Sequence, residues 1–307
     1  MLGTFGTFRK SSEAASDLTL DLNKHRVFNS GSCALIAWYD FTDLTTMYKS
    51  NTEKVDGHGD GLYKIQNKAV PHTGLTKRAG EFLMQTNASK RPLVGIQKES
   101  YEGIGASFIG ANRYLEGDTV NGPADSPRFS ATQLDIRNHT VACVYKNTAA
   151  VGSAGARGRL VWDLHSSNKG RRLHELATDD KLDDVALIGR KLFHLNGWAD
   201  TSTNLTISLH TCYQTASNDY IEASINGVKN GAAWDGTAVS MTGAIDWTDN
   251  REATNGITLG IDINRNGTLN FEGRIYEFII LSRALTKEEA AELTGYLTRK
   301  HGKTIQG

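Results

Sequence analysis

The chain is poor in cysteine and proline, and both shortages narrow the choice of fold. Its 307 residues include 3 cysteines and 4 prolines, so it has little proline-rich linker. An odd number of cysteines with no CxxC pair argues against a disulfide framework and against a zinc ribbon. Cys33, Cys143 and Cys212 each lie within or beside a short apolar run. We interpret them as small buried side chains in a reducing compartment.

Net charge and long apolar runs are also missing. Lys and Arg together number 34, as do Asp and Glu, so no overall field favours a nucleic acid, an anionic membrane or an acidic substrate. No apolar run approaches the roughly 20 residues that span a bilayer. The first basic residues, Arg9 and Lys10, follow apolar ones, and no signal-peptide core precedes them. These absences predict a protein that binds neither nucleic acid nor membrane and has no export signal.

Apolar residues are densest near the C-terminal end of the sequence. The run from Leu269 to Leu281 predicts a strand that is covered on both faces. The next segment can supply a cover, because Thr286 and Glu289 form a helix-capping box and Gly302 lies where a left-handed helix end is expected. The buried face of this helix is predicted at Leu293, Tyr296 and Leu297.

Most other apolar stretches have the length of β-strands and are separated by turn residues. Asn226-Gly227 is the strongest hairpin signal, because both residue types tolerate positive φ. Residues 178–184 are interpreted as a turn. Many strands and one terminal helix predict an all-β sandwich with no internal boundary between residues 33 and 303. The other strands are expected at residues 34–41, 63–69, 93–96, 104–109, 139–145, 159–164, 185–195, 205–213, 220–225 and 257–261.

Three stretches carry a resemblance to a known family. They are the opening Leu35–Asp43, the hairpin Tyr220–Val228 and the ending Leu259–Thr286, which contains Gly273-Arg-Ile-Tyr-Glu277 and Arg283-Ala-Leu-Thr286. Together they resemble the laminin-G-like, concanavalin A-like jelly-roll family, over residues 33–303. The resemblance implies a two-sheet antiparallel jelly-roll sandwich with a short C-terminal helix. A closing helix with a Lys-His-Gly-like tail is common in versions from bacteria and their viruses, and the signature is specific for fold rather than function.

The resemblance raises the possibility of a glucanase activity, but the sequence argues against that activity. Those relatives carry Glu-x-Asp-x-Glu on one strand, which places a nucleophile and a general acid on the same face. The nearest match, Glu116-Gly-Asp118-Thr-Val120, lacks the second glutamate. We therefore interpret Glu116 and Asp118 as solvated loop residues and Glu277 as a structural carboxylate that pairs near the helix. No GxSxG motif or phosphate loop is present, and no enzyme is predicted.

Two oxygen-rich sets raise the alternative of a structural calcium ion. Asp262, Asn264 and Asn266 occupy alternate positions, as in the first half of an EF-hand loop, but position twelve is Gly273. We favour a β-hairpin turn there over a metal loop. The second set consists of Asp40, Asp43, Asp56 and Asp60. We favour loop residues without a metal ion there as well. No cofactor is predicted, and structural calcium is the alternative.

Two tryptophans are candidates for sugar binding. An aromatic face pairs with the apolar face of a pyranose ring, and Trp234 and Trp247 lie among polar loop residues. Trp162 lies within an apolar strand and is interpreted as a core residue.

Residues 1–32 differ from the rest of the sequence. Gly3-Thr-Phe5-Gly-Thr-Phe8 is an aromatic near-repeat, and the polar stretch after it has too little apolar surface to fold alone. We interpret the segment as an extended arm that orders against its own domain or a neighbouring subunit, with Phe5 and Phe8 as assembly residues. A terminus without fixed structure is the alternative, and residues 304–307 form a tail.

Two functions from different classes follow. The first is a non-catalytic, homo-oligomeric virion component, such as a bacteriophage head decoration, fibre or tail-associated protein, docked to a scaffold through its arm. The phage context is implied by the resemblance and not by composition. The second is a carbohydrate-binding adhesion module on a host glycan. Both can hold at once, and a polysaccharide-degrading enzyme is a distant third.

Overall fold

The computed structural model describes the chain in sixteen segments. They are residues 21–30, 33, 35–70, 81–95, 104–110, 112–117, 138–147, 159–166, 169–176, 181–188, 191–198, 205–214, 219–229, 239–241, 256–261 and 270–302. Within these residues the strands form two antiparallel sheets of nine strands each. This confirms the predicted two-sheet sandwich. None of the helices in the same residues is long and apolar enough to cross a membrane.

The first sheet collects strands from both ends of the described chain. Its order is β15-β14-β13-β8-β18-β6-β5, with β1 paired to β18 and β16 paired to β14. Its strands are β1 Leu35–Asp40, β5 Leu93–Gly95, β6 Gly105–Ser107, β8 His139–Asn147, β13 Thr206–Gln214, β14 Asp219–Ile225, β15 Val228–Lys229, β16 Val239–Met241 and β18 Gly273–Leu281.

The second sheet faces the first across the core. Its order is β12-β11-β10-β9-β17-β7-β4-β3-β2. Its strands are β2 Met47–Tyr48, β3 Lys64–Gln66, β4 Phe82–Met84, β7 Leu115–Gly117, β9 Arg159–Ser166, β10 Lys169–Leu176, β11 Lys181–Ile188, β12 Lys191–Trp198 and β17 Gly256–Leu259. Short 3₁₀ turns cover Leu22–Lys24, Leu44–Thr46 and Ala88–Lys90.

Strand β18 is central to the first sheet and is buried on both faces, as its apolar run predicts. It pairs with β8 along one side and with β6 and then β1 along the other. Alternate side chains face opposite ways. Ile275, Phe278 and Ile280 enter the core between the sheets, whereas Tyr276 and Ile279 pack on the outer side.

Helix α1, Lys287–Lys300, supplies the outer cover. Thr286 accepts a hydrogen bond from the Glu289 backbone N–H, and the Glu289 carboxylate accepts one from the Thr286 N–H, so the predicted capping box is present. Leu293, Tyr296 and Leu297 are buried against the outer side of the first sheet. Gly302 follows the helix with φ of 66°, which confirms the predicted left-handed end.

Part of the sequence predicted as an N-terminal arm packs on the domain. Leu22 and Phe28 are 1% and 0% exposed and lie in the same cluster as the apolar face of α1. Asn23 donates from its side-chain amide to the Lys68 carbonyl, which ties this segment to the loop after β3. Residues 1–20 lie outside the described residues, so the arm itself stays a prediction.

Several strand predictions are confirmed and others are wrong. The Asn226-Gly227 hairpin is present between β14 and β15, with φ of 54° and 79° at its two residues. Residues 181–184 belong to strand β11 rather than to the turn predicted over residues 178–184, of which 178–180 lie outside the described residues. The single strand predicted over residues 185–195 is two strands, β11 and β12. Strand β10 is missing from the prediction because its sequence, KGRRLHEL, shows no apolar alternation. Pairing with β9 and β11 decides its structure.

Candidate binding site

The predicted site residues fall almost entirely outside the described part of the chain. This applies to the sugar candidates Trp234 and Trp247, to the calcium candidates Asp262, Asn264 and Asn266, and to the arm residues Phe5 and Phe8. All of these stay predictions. Trp162 is confirmed as a core residue, with 0% exposure between the sheets. Cys33 and Cys143 are confirmed as buried free thiols.

The four aspartates of the second oxygen-rich set all bond to groups of the protein. Asp40 and Asp43 both accept from the Lys68 ammonium, at 3.0 and 2.8 Å. Asp56 pairs with Lys49 at 2.8 Å, and Asp60 caps the turn by accepting from the backbone N–H groups of residues 56 and 57. In the described residues no group of three or more His, Cys, Asp or Glu side chains is arranged to hold a metal ion.

A buried network of charged side chains joins the end of α1 to the first sheet. Lys300 Nζ lies 2.9 Å from Asp40 Oδ2 and 2.8 Å from Glu277 Oε2. Glu277, which is 0% exposed, also lies 2.7 Å from His301 Nε2 and accepts from the indole N–H of Trp38 at 2.7 Å. The predicted structural role of Glu277 near the helix is therefore confirmed.

The charges in this network stabilise one another. Burial by itself raises the pKa of Asp40, but the ammonium groups of Lys300 and Lys68 outweigh it and hold that pKa well below its usual value. Burial likewise lowers the pKa of Lys300, but Glu277 and Asp40 outweigh it and raise that pKa. The network therefore fixes the helix in place, and its polar atoms point at one another rather than at solvent.

A second polar surface lies at the edge of the second sheet and faces outward. Its members, which we call the edge patch, are Tyr48, Lys54, Lys64, Gln66 and Phe82. Their orientation is set by the core, because the alternating neighbours Met47, Ile65 and Leu83 are 0% exposed and point inward. Each strand here therefore presents its polar or aromatic residues on the outer face.

Backbone pairing brings the members of the edge patch together. Tyr48 pairs with Lys64 in the β2–β3 ladder and forms an isolated antiparallel bridge with Lys54 on its other side. Gln66 pairs with Phe82 between β3 and β4. Directly paired residues have their side chains on the same face. Two lysines therefore flank one tyrosine, although they lie 6 and 16 positions after it in the sequence.

The aromatic rings and the ammonium groups are in contact. The Tyr48 and Phe82 rings meet edge to face, with centroids 6.2 Å apart. Lys54 Nζ lies 3.4 Å from the Tyr48 ring centroid, and Lys64 Nζ lies 4.9 Å from the same centroid and 4.4 Å from that of Phe82. The Tyr48 hydroxyl lies 3.5 Å from Gln66 Oε1. Lys54 is exposed and the other four residues are half-buried.

The two lysines of the edge patch differ from other lysines of the described residues. Lys49 and Lys300 each form an ion pair with at least one carboxylate. Within the described residues, neither Lys54 nor Lys64 has a carboxylate in ion-pair range. Lys54 donates a hydrogen bond to the neutral carbonyl of Thr45. Otherwise both ammonium groups face aromatic rings, contacts that are each worth about 0.5–1 kcal/mol at exposed sites.

A row of paired residues runs across the second sheet from Lys64 of the edge patch to Glu116. The position of Glu116 in this row corrects its interpretation from the sequence. Lys64 pairs with Met84, Met84 with Glu116, and Glu116 with Thr258. Glu116 lies in β7 and is only 8% exposed, so its prediction as a solvated loop residue is wrong. A strand as short as Leu-Glu-Gly gives no period-2 signal from which its structure could have been read.

Comparisons with known proteins return solved structures only. No family model matches the chain, and no curated protein does. Domain 4 of the extracellular arabinanase AbnA from Geobacillus stearothermophilus, solved with arabinotriose, is 16% identical at a TM-score of 0.44, over 85% of this chain and 98% of that one. The binding domain of botulinum neurotoxin serotype D is 12% identical at 0.42, over 85% and 51%. The sialidase CBM40 of Ruminococcus gnavus is 15% identical at 0.38, over 52% and 84%.

These likenesses concern architecture. The chain spans about half the length of the botulinum neurotoxin binding domain that it matches. At identities of 12–16% and TM-scores of 0.38–0.44, none of the three says what this chain binds. The sandwich itself is established by the strand pairing described above.

Proposed function

We propose that this chain is a non-catalytic glycan-binding domain that acts in attachment, and that the edge patch holds the sugar. The observation that carries the proposal is Tyr48, held on the outer face of a sheet beside Phe82 and between two ammonium groups. A pyranose ring offers an apolar C–H face to an aromatic ring and hydroxyl groups to donors and acceptors. The edge patch supplies both, since Gln66 and the two lysines surround the rings.

The composition of the edge patch favours binding over hydrolysis. Glycoside hydrolysis ordinarily uses two carboxyl groups that flank the scissile bond. The five members of the edge patch include no carboxylate. Glu116 lies farther along the same face, but it is buried and two strands away from Lys64.

A glycan array with the wild-type chain and Tyr48→Ala tests the proposal. We expect the wild type to bind and the variant to lose about tenfold or more in affinity, because the central aromatic residue of a binding surface carries much of its binding energy. Circular dichroism and the melting temperature establish that Tyr48→Ala folds.

The double variant Trp234→Ala plus Trp247→Ala is the matched comparison, since it removes the aromatic residues that the sequence nominates. Binding that is lost in this double variant and kept in Tyr48→Ala would contradict the location of the site. A wild-type chain that binds no glycan would contradict the proposed function.

The finer proposal is that the domain belongs to a homo-oligomeric virion component, with residues 1–20 as the docking arm. Its support is the aromatic near-repeat around Phe5 and Phe8. Because Leu22 and Phe28 are core residues, the arm should be removed by deleting residues 1–20 and not 1–30.

We expect the deletion of residues 1–20 to abolish self-association or incorporation into particles without lowering the melting temperature. Light scattering after size exclusion and particle incorporation are the measurements. Phe5→Ser plus Phe8→Ser in the full chain should reproduce the loss. Normal assembly of the deleted chain would contradict a docking role.

A further inference from the structure

The edge patch also indicates which class of sugar it takes. Resting on the proposed function, we infer that the recognised glycan carries a negative charge, as a carboxylate or sulfate group, and that Lys54 and Lys64 bind it.

The position of Lys54 argues against a neutral sugar as the preferred ligand. Its ammonium lies 3.4 Å from the centroid of the Tyr48 ring and therefore occupies one face of that ring. A neutral pyranose that stacks on this face displaces the ammonium and forfeits its contact with the ring. A sugar with an anionic substituent displaces the ammonium as well, but the substituent compensates for the lost contact because it forms an ion pair with the displaced ammonium.

The presence of two lysines around one ring also favours an anionic ligand. Lys54 and Lys64 hold two positive charges close to Tyr48, and like charges brought together repel each other. In the described residues no carboxylate lies in ion-pair range of either ammonium, whereas neighbouring Lys49 is paired with Asp56 at 2.8 Å. An anionic ligand group supplies the missing counter-charge and forms charge-assisted hydrogen bonds with both ammonium groups.

The charge is local, which sets the expected response to salt. The formal net charge of the chain is zero, so no long-range field assists binding and the attraction comes from the edge patch itself. The lysines are at least partly exposed, and salt screens exposed charges over about 8 Å at physiological ionic strength. Anionic-glycan binding should therefore weaken as salt rises, while neutral-glycan binding should not.

The experiment uses the full chain and three probes at low and high NaCl, about 20 and 300 mM, conditions that change the screening length several-fold. The probes are a heparin-derived hexasaccharide for sulfate, an oligogalacturonate for carboxylate and maltohexaose as the neutral sugar. We expect titration calorimetry to show binding to at least one anionic probe at low salt. Lys54→Met plus Lys64→Met should reduce that affinity by about tenfold or more.

Lys49→Met is the matched control, because it removes the same charge from the same region but from a lysine that is already paired. We expect it to retain wild-type binding. Preferential binding of maltohexaose, or anionic binding that survives in Lys54→Met plus Lys64→Met, would overturn the inference and leave the proposed function intact. Binding of the wild type to none of the three probes and to no glycan on the array would overturn the proposed function as well, whereas array binding to neutral glycans alone would overturn only the inference.

Discussion

Replacing Lys300 by methionine is expected to cost about 3–5 kcal/mol of unfolding free energy, the usual cost of breaking a buried ion pair by removing one partner. The Lys300 ammonium bonds both Asp40 and Glu277, whose side chains are 5% and 1% exposed. The methionine fills a similar volume but leaves two carboxylates facing each other without their shared cation. Chemical denaturation followed by circular dichroism measures the loss.

Lys287→Met is the control for this substitution. Lys287 is the first residue of the same helix, where a positive charge is slightly unfavourable because of the helix dipole, and it is exposed. Its replacement should change stability by less than about 0.5 kcal/mol, as is usual for surface substitutions. A loss below about 1 kcal/mol in Lys300→Met would show that the pair behaves as a surface ion pair.

Gly260→Ala is expected to destabilise the domain by about 2–5 kcal/mol, for two separate reasons. Gly260 has φ of +88°, a conformation that an L side chain rarely adopts. A Cβ atom there would lie 2.4 Å from Phe108 Cδ1 and 2.8 Å from the Arg113 carbonyl oxygen. Phe108 is a core residue and Arg113 contributes backbone, so neither yields without rearrangement.

Gly302→Ala separates the two reasons. Gly302 also has positive φ, at +66°, but no atom lies within 4 Å of the position that a Cβ atom would take there. Gly302→Ala should therefore lower the free energy of unfolding only by the cost of the left-handed backbone conformation, about 1–2 kcal/mol. Thermal or urea unfolding of both variants gives the difference. Equal losses would mean that the core around Phe108 accommodates the methyl group without cost.

Features that depend on neighbouring residues could be predicted from the sequence. The capping box of Thr286 and Glu289, the hairpin at Asn226-Gly227 and the doubly covered strand before the helix all follow from short-range patterns, and the structure has each of them. The sandwich class followed from the number and length of the apolar runs.

The edge patch could not be predicted, because register alone assembles it. Tyr48, Lys54, Lys64 and Phe82 come from four separate segments, and no motif links them. Strands β2, β3 and β4 have only two or three residues each, too few for an alternating pattern. The prediction for Glu116 was wrong for the same reason. By contrast, the pairing of Glu277 near the helix was predicted, because Lys300 and His301 lie at the end of the helix that follows the strand directly in the sequence.

The pairing of β1 with β18 has a consequence for how the protein is made. Asp40 and its partner Lys300 are separated by 260 residues, which take roughly 13–50 s to synthesise at about 5–20 residues per second. Throughout most of that time the apolar β1 strand has left the ribosome, but the strand with which it pairs has not yet been made. Contacts between residues so distant in sequence also slow folding. The first strand among the described residues is therefore one of the last to find its partner, and it needs protection from aggregation during translation.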